Sequence, residues 1–246
     1  MRRFLVELQY NGKAYDGWQA QPNRRTVQGA VNDALAKLFC DGVQAVGCSR
    51  TDAGVSAEQF FFHFDADTKL PAERVAFKLN RFLPKDVQAQ GSVEVRSDFH
   101  ARHSALSKTY EYAFYASAHL MPLVNPHAVH VKEKIDLATM REAAQMLVGT
   151  HDFAAFTTPN AECNGTTRTV SACQIVQDGA LYRFRITADG FLHKMMRNLA
   201  GFLIAVGTGA LAPDTLATCF ATGKRAKWLT LPPKGLRLCH VAYAKP

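Results

Sequence analysis

The chain combines stretches in which apolar and polar residues alternate with stretches in which apolar residues recur at helical spacing. Alternation or a short apolar run predicts strands at residues 3–9 (RFLVELQ), 43–48 (VQAVGC) and 59–64 (QFFFHF). Two more strands are predicted within residues 169–187, on either side of Asp178-Gly179, a dipeptide typical of a hairpin turn.

Four segments have the apolar spacing of amphipathic helices. Residues 26–39 (TVQGAVNDALAKLF) place their apolar side chains on one face, with Thr26 as the expected N-cap. Residues 136–149 (DLATMREAAQMLVG) begin at a second capping residue, Asp136. The remaining two helices are predicted at residues 193–209 and 213–223.

The order strand, helix, strand is repeated with variations in two halves. A break near residue 105 separates them, so we expect one half at residues 1–104 and another at residues 105–246. No low-complexity segment or long linker divides the chain, and we expect the halves to pack into one body. The pattern predicts an α+β fold with largely antiparallel sheet.

The charge of the chain favours a polyanionic partner such as nucleic acid. Its 246 residues include 29 Lys and Arg against 21 Asp and Glu, a net charge of +8. No acidic residue follows Asp214, whereas six Lys and Arg do. A C-terminal segment whose charged side chains are all positive carries more positive charge than solubility alone requires.

The spacing of the cysteines and the length of the apolar runs argue against a metal-binding, a secreted or a membrane protein. The six cysteines form no CxxC pair and have no histidine at zinc-finger spacing, so we expect no metal site and mostly buried, reduced thiols in a cytosolic protein. The apolar runs in MRRFLVELQ and GFLIAV are too short for a signal peptide or a membrane span. We therefore expect a soluble, cytoplasmic protein without a membrane partner.

Asp52 is the candidate for chemistry. It lies in a predicted loop between two strands, with Arg50 before it and Gly54 after it. An aspartate near a glycine is common in turns, where it accepts backbone hydrogen bonds. However, loops between strands present reactive groups, and a nearby guanidinium keeps a carboxylate ionised. No metal, phosphate cradle or histidine base is indicated here, so any chemistry depends on the carboxylate alone.

The motif RTDAGV (residues 50–55) resembles the catalytic loop of the TruA-type tRNA pseudouridine synthases. The opening QYNGKAYDGWQAQP, the central DFHARHSALSKTYEYAFY and the C-terminal FLHKMMRN and PPKGLRL resemble other motifs of that family, in the same order. The chain departs from the family pattern at Ser49 and Ser56, which replace Gly and His, and at Gln59-Phe60, which replaces Gly-Gln.

The resemblance implies a fold, a reaction and an assembly. The fold would be the pseudouridine synthase fold, with two similar halves whose sheets join into one central sheet flanked by helices. The reaction would be isomerisation of uridine to pseudouridine at positions 38, 39 and 40 of the tRNA anticodon stem-loop. The enzyme would need no cofactor or metal and would act as a homodimer, with each tRNA touching both protomers.

The resemblance also implies roles for five residues. Asp52 would be the nucleophile, and Arg197 would pair with it. Tyr110 would stack on the uracil, Leu236 would line the uracil pocket, and Arg50 would take the place of the extruded nucleotide. Three actions are open to the Asp52 carboxylate: attack at C6 of the base, addition at C1′, and abstraction of a sugar proton.

Two basic groups are candidate contacts to RNA phosphates. Arg24 and Arg25 follow the first predicted turn, and Lys224, Arg225 and Lys227 follow the last predicted helix. Neither group has an acidic residue close by in sequence, although cationic surfaces are also common for solubility.

Two other functions share features with this sequence. FFFHFDADTK, with Asp65 and Asp67, is similar to the haloacid-dehalogenase phosphatase signature, but Lys69 stands where that signature needs Thr or Val. A non-catalytic tRNA-binding or tRNA-folding protein would share the charge and the aromatic residues. A carboxylate next to RNA phosphates does not favour binding, so Asp52 indicates an enzyme rather than a binding protein.

Overall fold

The computed structural model describes residues 1–39, 42–158 and 165–244, so Cys40, Cys163 and Lys245 lie outside the described residues. The strands in chain order are β1 (Arg2–Tyr10), β2 (Val46–Gly47), β3 (Ser56–Ala66), β4 (Val87–Val95), β5 (Ala105–Ala116), β6 (Val129–Val131), β7 (Gly149–Asp152), β8 (Thr167–Asp178), β9 (Leu181–Ala188) and β10 (Leu236–Tyr243). The α-helices are α1 (Val27–Phe39), α2 (Ala72–Leu79), α3 (Leu137–Gln145), α4 (Met195–Gly207) and α5 (Thr215–Thr222).

The chain divides into two compact units. The first comprises Met1–Leu106 together with Arg237–Pro246, and the second comprises Ser107–Leu236. The expected halves, residues 1–104 and 105–246, differ from these units mainly at the C-terminal end. The cause is the parallel pairing of β10 with β3, which joins Arg237 to Ser56 and brings the end of the chain back to the first unit.

The first unit has strands in the order β4-β1-β3-β10, with β2 beside β3. Strands β1, β2, β3 and β4 pair antiparallel. Every second side chain of β1 and β3 enters an aromatic core, in which the rings of Phe4 and Phe64 lie 5.3 Å apart. Phe39 at the end of α1 packs on Phe64 at the same distance, so this helix covers that face of the sheet.

The second unit has strands in the order β5-β9-β8-β7, with β6 parallel to β5. The three pairings among β5, β9, β8 and β7 are antiparallel. Helix α4 is apolar on nearly all sides and has ten buried residues among its thirteen, as expected of a helix inside a core. Helix α3 packs against both α4 and β8.

Several local predictions are confirmed. Thr26 Oγ1 accepts the N–H of Gly29 at 3.2 Å, and the Asp136 carboxylate accepts the N–H groups of Ala138 and Thr139. The hairpin at Asp178-Gly179 joins β8 to β9. Helix α3 ends at Gln145, earlier than expected, and the predicted stop at Gly149 instead begins β7.

The described residues of the two units include ten strands flanked by helices, which confirms the predicted α+β class and its largely antiparallel pairing. Four cysteines within the described ranges are free thiols, and three of them are buried. No helix among the described residues has the length and apolar character needed to cross a membrane.

Candidate active site

Asp52 lies in the loop between β2 and β3, here called the Asp52 loop (residues 48–55). The carbonyl of Asp52 accepts the N–H of Val55 at 3.1 Å, which closes a four-residue turn. Gly54, at the third position of this turn, has φ +80°, a conformation that glycine adopts without strain. The glycine of the motif therefore fixes the direction in which the chain leaves Asp52.

The segment that follows β1, residues 11–19, holds the Asp52 loop and is here called the clamp. Trp18 N–H donates to the carbonyl of Thr51 at 3.1 Å, and Gly54 N–H donates to the carbonyl of Tyr15 at 3.0 Å. These two bonds lie on either side of Asp52, so the backbone of the partly buried aspartate is fixed from both directions.

Side chains add to this support. Thr51 is buried, and its hydroxyl lies 2.9 Å from the hydroxyl of Tyr10. Gly12 N–H donates to Ser56 Oγ at 3.0 Å. A Cβ on Gly12 would lie 1.9 Å from the carbonyl oxygen of Val55, so only glycine allows the clamp to approach this closely. Two motifs distant in sequence thus form one local structure.

Three of the residues that depart from the family pattern, Ser56, Gln59 and Phe60, make specific contacts near the Asp52 loop. Ser56 accepts the Gly12 bond described above. Gln59 donates to Glu7 Oε1 at 3.1 Å and accepts the N–H of Val241 at 3.1 Å, which connects β1 to β10. Phe60 packs on Trp18 with ring centroids 4.2 Å apart. The family pattern identifies these differences in sequence, but it does not predict which residues the side chains contact.

Arg24 and Arg25 have acidic partners that sequence proximity did not reveal. Arg24 Nη1 lies 3.8 Å from the Asp16 carboxylate, and Arg25 Nη2 lies 3.1 Å from that of Asp86. Arg25 also lies over the Tyr15 ring, 4.6 Å from its centroid. Both arginine side chains remain more than half exposed, and the predicted Arg50 is exposed in the Asp52 loop.

Tyr15 links the clamp to this cationic group. Its hydroxyl donates to Asp86 Oδ1 at 2.6 Å. Burial, together with this hydrogen bond, raises the pKa of Tyr15, so it remains a neutral donor at neutral pH. In the sequence, the motif YNGKAYDGW is the one signal that could have indicated a role for Tyr15, and it does not identify Asp86 as the partner.

In the second unit, Arg197 lies in the first turn of α4. Its Nε donates to the carbonyl of Leu231 at 2.6 Å, and Leu231 N–H donates to the carbonyl of Arg197 at 3.2 Å. The next residue, Asn198, is buried, donates to the carbonyl of Phe156 at 2.7 Å and accepts the Thr230 hydroxyl at 2.6 Å. Sequence reasoning did not identify Asn198, which fixes the same segment as Arg197.

Leu236 and Tyr110 are both buried in the second unit. The segment before Leu236 is held by the Tyr112 hydroxyl, which donates to the carbonyl of Pro232 at 2.6 Å. Burial raises the pKa of Tyr112, which keeps this donor protonated. Tyr110 lies on β5, and its ring meets that of Phe191 edge to face at 4.8 Å.

In the second basic group, Arg225 contacts the protein itself, whereas the two lysines are exposed to solvent. Arg225 donates to the carbonyl of Trp228 at 2.8 Å and to the Thr230 hydroxyl at 3.0 Å, and it lies over the Trp228 ring. Arg225 therefore stabilises the loop that contains Trp228 and Thr230. Lys224 and Lys227 are exposed.

Within the described ranges, no group of three or more His, Cys, Asp and Glu side chains could hold a metal ion.

Comparison with known proteins gives consistent results. A model described as tRNA pseudouridine synthase matches residues 143–244. A tRNA pseudouridine synthase A from Caldicellulosiruptor saccharolyticus is 36% identical over 244 residues, 99% of this chain and 100% of that protein. Proteins of the same name from Ruminiclostridium cellulolyticum and Acetivibrio thermocellus are also 36% identical, with the same coverage of both chains.

The predicted resemblance is therefore confirmed along nearly the whole chain. Three of the motifs that carry the resemblance supply the clamp, the Asp52 loop and the first turn of α4, which holds Arg197. The chain belongs to the tRNA pseudouridine synthases, which are isomerases.

Proposed function

We propose that the protein isomerises uridine to pseudouridine at positions 38, 39 and 40 of the tRNA anticodon stem-loop, with Asp52 as the nucleophile. The observation that carries the proposal is the backbone support of Asp52, which is held by hydrogen bonds to Thr51 and Gly54 from the clamp. A preorganised loop suits a group that must meet its target in one geometry.

The reaction rearranges bonds within one nucleotide. The N1–C1′ bond breaks, the uracil turns, and a C5–C1′ bond forms. C5 loses its hydrogen and N1 gains one, so substrate and product have the same composition. No external oxidant or reductant is needed, and the proposal includes no cofactor or metal.

The remaining roles follow from the residues that match the family motifs. We assign Arg197 to keep the nucleophile ionised, Tyr110 and Leu236 to contact the uracil, and Arg50 to fill the space that the extruded nucleotide leaves. The rigid settings of Arg197 and Leu236 support these assignments, since each lies in a segment fixed by hydrogen bonds. We also propose that the protein is a homodimer whose protomers both touch each tRNA.

The test is Asp52→Asn, measured by tritium release from tRNA that carries 5-tritiated uridine. The amide keeps the shape of the side chain but is not a nucleophile, so we expect release to stop while tRNA binding stays near that of the parent. Asp67→Asn is the matched control, because Asp67 is an exposed aspartate in the same unit and should tolerate the change.

Turnover of Asp52→Asn within about tenfold of the parent, equivalent to about 1.4 kcal/mol of barrier, would contradict the assignment. Binding of tRNA by the parent without any tritium release would favour the alternative, a tRNA-binding or tRNA-folding protein.

A further inference from the structure

Helix α2 exposes a face that its packing does not explain. Its buried side chains, Val75, Ala76 and Leu79, lie on the side that packs against β4. Arg74, Phe77 and Lys78 follow the spacing i, i+3, i+4, so they share another side of the helix, and Arg81 follows in the turn after it. Phe77 is 66% exposed, an unusual position for a phenylalanine.

The cations beside Phe77 are not neutralised by carboxylates. Among the described residues, no salt bridge involves Arg74, Lys78, Arg81 or the nearby Lys85. The one acidic residue of the helix is Glu73. An exposed aromatic ring among cations without acidic partners is the combination that binds nucleic acid through phosphates and stacking.

The segment between α2 and β4 contacts one of the arginines that follow the clamp. Asp86, next to Lys85, accepts a hydrogen bond from Arg25 at 3.1 Å, and its carbonyl accepts the N–H of Asn11 at 2.9 Å. The segment that joins α2 to β4 therefore lies beside Arg25 at its last residue, Asp86.

From there the helix leads away from the clamp along β4. Asn80 is bonded through its side chain to Ala89, which pairs with Leu8. Ala76 N–H donates to Ser92, which pairs with Val6, farther from the clamp. The helix that carries Arg74 and Lys78 thus extends along β4 from the region of Arg25.

We propose that Arg74, Phe77, Lys78, Arg81 and Lys85, here called the α2 surface, bind tRNA and extend the contact made by Arg24 and Arg25. The inference rests on the proposed function for the identity of the RNA. The cations neutralise phosphates, and Phe77 packs on a ribose or an unpaired base. From Arg74 to Leu79 the helix rises about 7.5 Å, and Arg81 and Lys85 follow beyond its end, so the cations can reach phosphates of successive nucleotides.

The first experiment measures tRNA affinity as a function of salt for Arg74→Ala/Arg81→Ala. For each phosphate that the variant no longer binds, the slope of log affinity against log salt should flatten by about 0.7 to 0.9. Lys132→Ala/Lys134→Ala is the matched control, since it removes two exposed cations of the second unit and should leave the slope nearly unchanged. An unchanged slope in the α2 variant, or an equal change in the control, would overturn the proposal.

The second experiment tests the ring. Phe77→Ala should weaken tRNA binding about tenfold at fixed salt, whereas Phe77→Tyr should bind like the parent, because the ring face survives. Both should keep the parent's thermal midpoint, since the side chain is exposed. If Phe77→Ala alters the oligomeric state and leaves tRNA affinity unchanged, the surface is a protein interface and the inference is wrong.

These readouts separate the inference from the proposed function. Single-turnover tritium release at saturating enzyme should be the same in Arg74→Ala/Arg81→Ala and the parent. A parent that binds tRNA through the α2 surface but releases no tritium would overturn only the proposed function. Normal tritium release with an unchanged salt slope in the variant would overturn only the inference.

Discussion

Among individual side chains, His63 shows how burial changes an ionisable group outside the candidate active site. It is 5% exposed on β3, and its Nδ1 accepts the N–H of Ala101 at 3.1 Å. Burial, with smaller effects of Arg3 and His100, lowers the pKa of His63 to about 4. Burial disfavours the charged imidazolium, so protonation, which occurs first in the unfolded chain, destabilises the folded state.

We expect the free energy of unfolding to fall as pH drops from about 6.5, the pKa of an unfolded histidine, toward 4. The His63 contribution to this fall should be about 2 kcal/mol between pH 7.5 and pH 5. His63→Asn keeps an acceptor for Ala101 but does not titrate, so its stability should depend less on pH.

Urea unfolding of both proteins at the two pH values measures this difference. The neighbouring groups Asp65, His100, His103 and Arg3 are present in both proteins, so their titration largely cancels. Parallel pH profiles of the parent and His63→Asn would show that the histidine does not carry the effect.

Among the helices, strands and loops, the clamp and the Asp52 loop depend on each other's backbone. Gly12→Ala places a Cβ 1.9 Å from the Val55 carbonyl oxygen, so one of the two segments must move. A displacement of about 1 Å at a reacting group can reduce a rate about a hundredfold. We expect single-turnover tritium release to fall at least tenfold, with a smaller effect on tRNA binding.

Gly91→Ala is the control, because Gly91 lies in the same unit and nothing is within 4 Å of the added Cβ. It should keep the parent rate. Full activity of Gly12→Ala, with an unchanged thermal midpoint, would mean that the clamp does not position the Asp52 loop.

The sequence predicts elements whose signals are local. Thr26 and Asp136 mark helix starts through caps, and the Asp178-Gly179 turn connects neighbouring strands. Helix α2 was not predicted, although its buried residues Val75, Ala76 and Leu79 follow helical spacing.

Long-range contacts account for most of what the sequence did not predict. The motif identifies Asp52, but not the hydrogen bonds that Tyr15 and Trp18 of the clamp make to its loop. Likewise, nothing local in PPKGLRL predicts that Arg237 pairs with Ser56, more than a hundred residues earlier. Such contacts depend on the folded topology.

Across the full chain, the net charge of +8 sets the expected mode of substrate binding. A cationic surface attracts RNA over a distance and binds phosphates in a manner that salt weakens. Acidic partners within the protein compete with those phosphates. Asp16 lies beside Arg24, and Asp86 lies beside Arg25. The affinity for RNA therefore depends on these local carboxylates as much as on the number of cations.

This competition gives predictions of opposite sign. Arg24→Ala/Arg25→Ala should weaken tRNA binding and flatten the salt slope by about 0.7 to 0.9 for each phosphate that is no longer bound. Asp16→Asn should strengthen binding, because it removes the carboxylate 3.8 Å from Arg24 and leaves that guanidinium to a phosphate. Single-turnover tritium release at saturating enzyme should stay near the parent value in both variants.

Asp33→Asn is a suitable control for the removal of one negative charge, since it lies on α1 outside the Arg24 and Arg25 group. If Asp33→Asn strengthens binding as much as Asp16→Asn, the gain reflects net charge alone. If the salt slope of Arg24→Ala/Arg25→Ala equals that of the parent, the two arginines do not contact the RNA. Opposite shifts in Arg24→Ala/Arg25→Ala and Asp16→Asn, with Asp33→Asn unchanged, would identify this side of the clamp as a phosphate-binding surface, because only a local contact can depend on which carboxylate is removed.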